Sequence, residues 1–390
     1  MRGVGCALAV AVLLARSVSA QDSSSSSTNP RRIWVDHLFP YPYYSSIDGF
    51  WFGGHYDWSS PMGFSDRPEP NFARISLDAG ASTQGSRSVV LDAQAPAHWD
   101  GWRLGLTLSI ARANRLGYYG QGNETLHDED SITAARPYFY RVSRTLRSAR
   151  LTVQRRALPG VPLRVLVGGT LERTTFRELP GESWFQRDRA AGVIRPDEVP
   201  FNDQVARVGL VLDWRDLEAD PHRGVFVEGL IGRGRGYSRT TAGLRAYVHP
   251  MERLVLAARV GGERMTGRPP IAAQLTMESS EGPFVAVGGF RSLRGYHDGR
   301  FVGPGKLIGG IEARYGVMWA PRVFEVKLAA FYDAGRVFGP GEELRLTTKG
   351  LHSSAGGSLA FVVMRNTVVV LSGGKGSEGA EVAFSTSWSY

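Results

Sequence analysis

The residues of this chain that could carry chemistry do not form a catalytic set. Gly356 to Ala360, GGSLA, is half of the G-x-S-x-G turn that exposes a nucleophilic serine. Gly303 to Gly310 holds glycines and Lys306, but Leu307 stands where a phosphate-binding loop needs a hydroxyl. His127, Asp128, Glu129 and Asp130 bunch four potential ligands without the spacing of a calcium loop, so a solvated turn is expected. Cys6 is the only cysteine. No enzyme activity, cofactor or metal is therefore expected. What remains is arginine, 42 of the 46 basic residues. Its planar fork holds two carboxylate oxygens at once and keeps its proton, which suits permanent ion pairing rather than proton transfer.

The patterns that would position these charges are strands. Gly288 to Gly305 is glycine-rich and basic and reads as a long ordered loop carrying Arg294. From Lys306 to Val317 the chain alternates, with Lys306, Glu312 and Arg314 on one face and Leu307, Ile311 and Tyr315 on the other. In FEVKLAAFYDAG, Asp333 shares a face with Glu325 and Lys327. Elsewhere Leu254, Leu256, Ala258 and Val260 oppose Arg253 and Arg259. An arginine facing lipid at mid-bilayer costs about 2–4 kcal/mol, so the charged faces are expected to point inward and the apolar faces toward lipid.

No stretch after the first twenty residues approaches a transmembrane helix, and 48 glycines are spread among short alternating segments rich in aromatics. The expectation is all-β: a transmembrane antiparallel β-barrel of sixteen strands, from 45–57 to 380–390, with 133–145 and 148–157 as separate strands. The long connections 175–203, 265–304 and 338–352 then fall outside. The segment from Asn114 to Ser131 would be an anomalously long periplasmic turn. In the final segment Val382, Phe384, Thr386, Trp388 and Tyr390 alternate with polar or small residues, and its terminal aromatics Phe384, Trp388 and Tyr390 fit a girdle at the bilayer boundary.

Residues 1–20 have a basic start at Arg2, an apolar run from Val4 to Ala15 and small residues at Val18 and Ala20, the pattern of a secretory signal peptide. Residues 21–44 read as a flexible periplasmic lead-in and 45–390 as the barrel. The formal charge is +9, or +7 once Arg2 and Arg16 of the signal are removed. With secretion and inward alternation, this excess is assigned to lumen lining and to anionic lipid headgroups, and no nucleic-acid binding is expected.

Four motifs, in order, carry a resemblance. SLRGY, from Ser292 to Tyr296, follows a glycine pair and precedes a strand with Glu312; DWRDLEADPHRG contains Asp213, Arg215, Asp216 and Gly224; FYDAG spans Phe331 to Gly335; YYGQGNET spans Tyr118 to Thr125. The set resembles the bacterial outer-membrane assembly-factor superfamily, also called the bacterial surface antigen family. That group includes the barrels of the Bam and Tam machineries and of two-partner secretion. The resemblance implies that the sixth extracellular loop folds into the lumen, with Ser292, Leu293, Arg294, Gly295 and Tyr296 at its tip and Arg294 paired with acids on two adjacent strands. The parities of Glu312 and Asp333 support this independently. It also implies that Phe384, Trp388 and Tyr390 form the terminal strand signal for insertion. Only 24 residues stand where members carry periplasmic POTRA domains, so a short member without them is expected.

The resemblance implies an outer-membrane barrel that assists insertion or translocation of polypeptides. Its partners would be lipopolysaccharide and phospholipid, unfolded or nascent polypeptides, and a periplasmic protein supplying the POTRA function. The alternative is a structural or pore-forming barrel that lost the assembly role. An outer-membrane phospholipase is a weaker alternative, since no serine and histidine are singled out.

Overall fold

The computed structural model describes residues 33–45, 47–62, 68–320, 323–363 and 367–390. The expected signal peptide lies outside them. Eleven strands come first: β1 (Val35–Ser45), β2 (Gly49–Pro61), β3 (Asn71–Ser82), β4 (Arg87–Trp99), β5 (Trp102–Gly117), β6 (Arg141–Leu158), β7 (Val161–Arg177), β8 (Phe201–Asp213), β9 (Gly224–Gly234), β10 (Tyr237–Met251) and β11 (Leu254–Gly267). A long loop follows, holding two-residue strands β12 (Thr276–Met277) and β13 (Phe284–Val285). The wall resumes with β14 (Gly305–Ala320), β15 (Phe324–Phe338), β16 (His352–Val363), β17 (Thr367–Gly376) and β18 (Gly379–Ser385). Leaving β12 and β13 aside, the strands form one 16-stranded sheet in chain order, every neighbouring pair antiparallel.

Alternation decides the two faces. Along β8, Val208 and Leu210 are exposed while Asp203, Arg207 and Asp213 are buried; along β15, Leu328 and Tyr332 are exposed while Lys327 and Asp333 are buried. This is an inside-out core, with oily residues on the exterior and charges in the interior, as lipid outside and water inside require. Trp99, Trp102 and Trp214 are exposed at one rim, where the connections are mostly short, and mark that membrane–water boundary.

The expected number of strands is right, but two of its members are not. The barrel wall begins at Val35, within the expected lead-in, because VDHLFPYPYYS pairs residue for residue with Gly49–Ser59 of β2. The segments 133–145 and 148–157 are replaced by a single strand, Arg141–Leu158, whose outward and inward sets run on unbroken. These two errors cancel in the count and shift the parity between them. The connection expected to be a long periplasmic turn, Asn114 to Ser131, therefore lies on the extracellular side with the other long loops. The terminal strand stops at Ser385, short of the expected Tyr390.

Candidate functional site: the lumen finger

The loop from Arg268 to Pro304 enters the lumen. Its tip is made rigid locally: Gly288 N–H donates to Ser292 Oγ, which donates to Gly288 O, both at 2.9 Å, and Gly289 N–H donates to Leu293 O. Gly288 and Gly289 have φ of +114° and +92°, in the region where glycine is at home. Leu293 is buried in a small apolar core with Met277, Val287, Tyr296 and Phe301 of the loop and with Ile308 of β14 and Val337 of β15, so the tip packs on itself and on the wall together.

Arg294 stands out from this tip. Its Nε donates to Asp333 Oδ2 at 2.7 Å and its Nη2 to Asp333 Oδ1 at 3.0 Å, while Nη1 donates to Glu312. The guanidinium lies 3.4 Å from the centroid of the Phe331 ring. Burial alone would lower the guanidinium pKa, but Asp333 and Glu312 raise it above its ordinary value. Glu312 sits on β14 and Asp333 on β15, so one side chain ties the loop to two strands.

The finger also reaches the opposite wall. Glu278 accepts from Arg150 of β6 at 2.7 Å. Arg239 of β10 and Lys306 of β14 both pair with Glu263 of β11 at 2.8 Å, and the Glu278 N–H donates to the same carboxylate at 2.9 Å. Glu281 accepts from Arg215 and pairs with Arg245, each at 2.7 Å. Loop carboxylates thus meet wall arginines on one side, and the loop arginine meets wall carboxylates on the other. Beside the finger, a cavity of about 740 Å³ is left along β3 to β10, lined by groups such as Arg74, Asp92, Arg144 and Gln154.

From the opposite end, the turn between β8 and β9 rises to meet the finger. Arg215 holds Asp213 with two bonds of 2.8 and 2.9 Å and reaches Glu281. Asp216 caps the turn, accepting from the N–H groups of His222 and Arg223. Gly224 closes it at φ +113°, where a Cβ would lie 2.0 Å from Trp214 O. Asp220, His222 and Glu325 bring three potential ligand atoms together, but the Lys327 ammonium sits among them, 2.6 Å from Asp220 and 2.9 Å from His222. A lysine already supplies the positive charge there. Residues 128–131 form a short capped turn in which Asp128 accepts from Asp130 N–H.

A model of the Omp85 superfamily domain matches residues 73–363. The chain belongs to the Omp85 superfamily. Among solved structures it is similar to BamA from Haemophilus ducreyi lacking POTRA domains 1-3, at 14% identity and a TM-score of 0.54, over 91% of this chain and 69% of that one. It is also similar to CdiB from Escherichia coli, at 11% identity and 0.56, over 92% and 62%, and to CdiB from Acinetobacter baumannii, at 14% and 0.50, over 91% and 59%. The chain spans about three-fifths of the length of the CdiB structures. At these identities the likeness shows the fold alone, the β-barrel that the 16-stranded sheet describes. No curated protein matches the chain.

Of the three aromatics expected to face one way at the terminus of this Omp85 barrel, only Phe384 is exposed. Trp388 and Tyr390 turn into the lumen. Trp388 Nε1 donates to Asp220 at 2.8 Å, Ser389 Oγ donates to Phe290 O at 2.9 Å, and Arg314 donates to Tyr390 O at 2.9 Å. Arg314 also holds Glu312 at 2.7 Å, and Arg259 donates to the carbonyls of Arg291 and Ser292. Strand alternation could not foresee this, because it assumes the strand continues. Arg259 and Arg314 were legible only as inward charges. Their partners lie 33 and 76 residues away in sequence.

Proposed function

We propose that this barrel assists insertion or translocation of polypeptides at the outer membrane through an exchangeable edge between β1 and β18, the two ends of the sheet. The observation that carries this reading is Pro40 and Pro42. Both lack a backbone N–H, and they stand two residues apart, so both missing donors fall on one edge of β1. The β1–β2 register runs without a shift through Pro40–Gly54 and Pro42–Phe52, which assigns the donor-poor edge to the side facing β18. On that side β18 has only seven residues, against 18 in β6. A seam short of donors and of length is the place where a client strand can pair. The segment 45–57, SSIDGFWFGGHYD, is mostly β2 and pairs with both of its neighbours, so it adds nothing to the free edge.

The experiment uses the full chain folded into liposomes, with an unfolded outer-membrane barrel as client. The expected result is faster client insertion than with an unrelated barrel, abolished by a disulfide locking β1 to β18. Equal rates with the unrelated barrel sink the reading in favour of a passive wall. Acceleration that survives the lock removes the seam from it.

A further inference from the structure

The arginines of this wall fall into two populations. Most of those facing the lumen are paired with carboxylates, as Arg150 is with Glu278. Arg147, three residues away on the same strand, faces outward and is exposed. It has outward companions on the neighbouring strands. Arg87 of β4 is the cross-strand partner of Arg112 of β5, and Arg147 of β6 is the partner of Arg173 of β7. The two pairs adjoin, because Arg147 is opposite Ile110, which lies two residues from Arg112 on the same face. Among the described residues none of these four guanidinium groups has a carboxylate within ion-pair distance. Like charges directly opposite each other on a sheet are destabilising. Two such pairs side by side call for an anion from outside the chain.

Their height is also common to all four. Measured along each strand from its short-turn end, Arg87 lies twelve residues from Trp99, Arg112 ten from Trp102, Arg147 eleven from Leu158 and Arg173 twelve from Val161. A tilted strand crosses the hydrocarbon in about 9–11 residues, so all four emerge at the outer-leaflet boundary. Below them the face is apolar, with Val89, Ile110, Leu151 and Leu171 exposed. Phosphate just above acyl chains is the chemistry that matches guanidinium groups just above an apolar wall.

We propose that Arg87, Arg112, Arg147 and Arg173 form a binding site for the phosphate groups of an outer-leaflet glycolipid, with its acyl chains lying against β4 to β7. The site lies away from the seam and does not depend on the proposed activity. Full-length protein in detergent is titrated with lipid A carrying both phosphates, with dephosphorylated lipid A, and with inorganic phosphate. Bound lipid is read by native mass spectrometry. Wild type and the R112K/R147K/R173K variant are expected to hold the phosphorylated lipid, and R112Q/R147Q/R173Q to bind it about tenfold or more weakly, because each charge at a membrane surface contributes measurably to anionic lipid binding. Arg264→Gln, outward on β11 and outside the cluster, is expected to bind as wild type. If the triple glutamine variant does not fold, Arg147→Gln and Arg173→Gln are each expected to weaken binding. Undiminished binding by the glutamine variants, equal binding of the dephosphorylated lipid, or full displacement by inorganic phosphate overturns the proposal.

Discussion

The Trp388 indole N–H donates to Asp220 at 2.8 Å, joining the segment after the last strand to the turn between β8 and β9. Asp220 is already held by Lys327 of β15, and Trp388 lies with its ring 3.9 Å from the Arg314 guanidinium. The terminal segment is therefore wedged between the turn and the base of the finger. Trp388→Phe keeps an aromatic ring and removes the donor together with the five-membered part of the indole. A hydrogen bond to a charged group contributes about 1.5–3 kcal/mol, so a loss of that order is expected in thermal unfolding in detergent. Stability equal to wild type would show that the wedge bears no load.

Arg294 is the sole side chain that touches both Glu312 and Asp333 from the loop. Arg294→Ala leaves two buried carboxylates short of their main cation, an arrangement that costs about 3–5 kcal/mol. Arg259 lies 3.6 Å from Asp333 and Arg314 bonds Glu312, which limits the loss to the lower part of that range. Arg294→Lys is expected to recover part of the stability, since an ammonium cannot hold both carboxylates in the fork geometry. Planar-bilayer conductance is expected to become larger and noisier in Arg294→Ala. Unchanged conductance and unchanged stability together would refute a bracing role for the finger.

The sequence already contained the two-sided wall, because a strand's period of two exposes each charge's side directly. Glu312, Asp333 and Arg294 could be singled out for that reason, aided by the SLRGY match. What stayed hidden was where strands stop and start. Pro40 and Pro42 argued against a strand in β1, although an edge strand tolerates them. Asn114 to Tyr140 kept turn residues beside alternating ones, which blurred the start of β6. The inward turn after Ser385 depends on Asp220, Arg259 and Arg314, whose convergence is three-dimensional and has no local signature.

Gly295 lies against β17 so closely that an added Cβ would stand 2.6 Å from Gly376 N and 2.6 Å from the Lys375 carbonyl carbon. These are backbone atoms of the wall and cannot step aside as a side chain would. From the other side, a Cβ on Gly374 would meet Arg294 O at 2.8 Å. Gly295→Ala is expected to lift the tip from the wall and destabilise the barrel by about 1–3 kcal/mol, the usual cost of overpacking. Gly373→Ala has open space and is the matched control. Protease sensitivity of the 268–304 loop is the readout: cleavage should rise in the first variant and not in the second. Equal cleavage would show that the tip is not held by this contact.

Acidification should weaken the finger's hold on the wall through Glu278 and Glu281, two of its three carboxylates. Burial alone would raise the pKa of Glu281, but Arg245 and Arg215 more than offset it and hold the carboxyl well below its ordinary range; Arg150 and Arg239 do the same for Glu278. A lowered folded value means stability fully present above the unfolded value of about 4.3 and lost as the pH falls through the folded values. Asp188 and Glu198 in another outer loop, and Asp298 in the finger itself, act in the opposite sense, since burial raises each of them and acid relieves that cost. The diagnostic quantity is therefore the difference in melting temperature between wild type and the Glu278→Gln/Glu281→Gln double variant. It is expected to favour wild type near neutral pH and to shrink below about pH 4. A difference that stays constant into acid would mean that the two ion-pair clusters do not hold the finger in place.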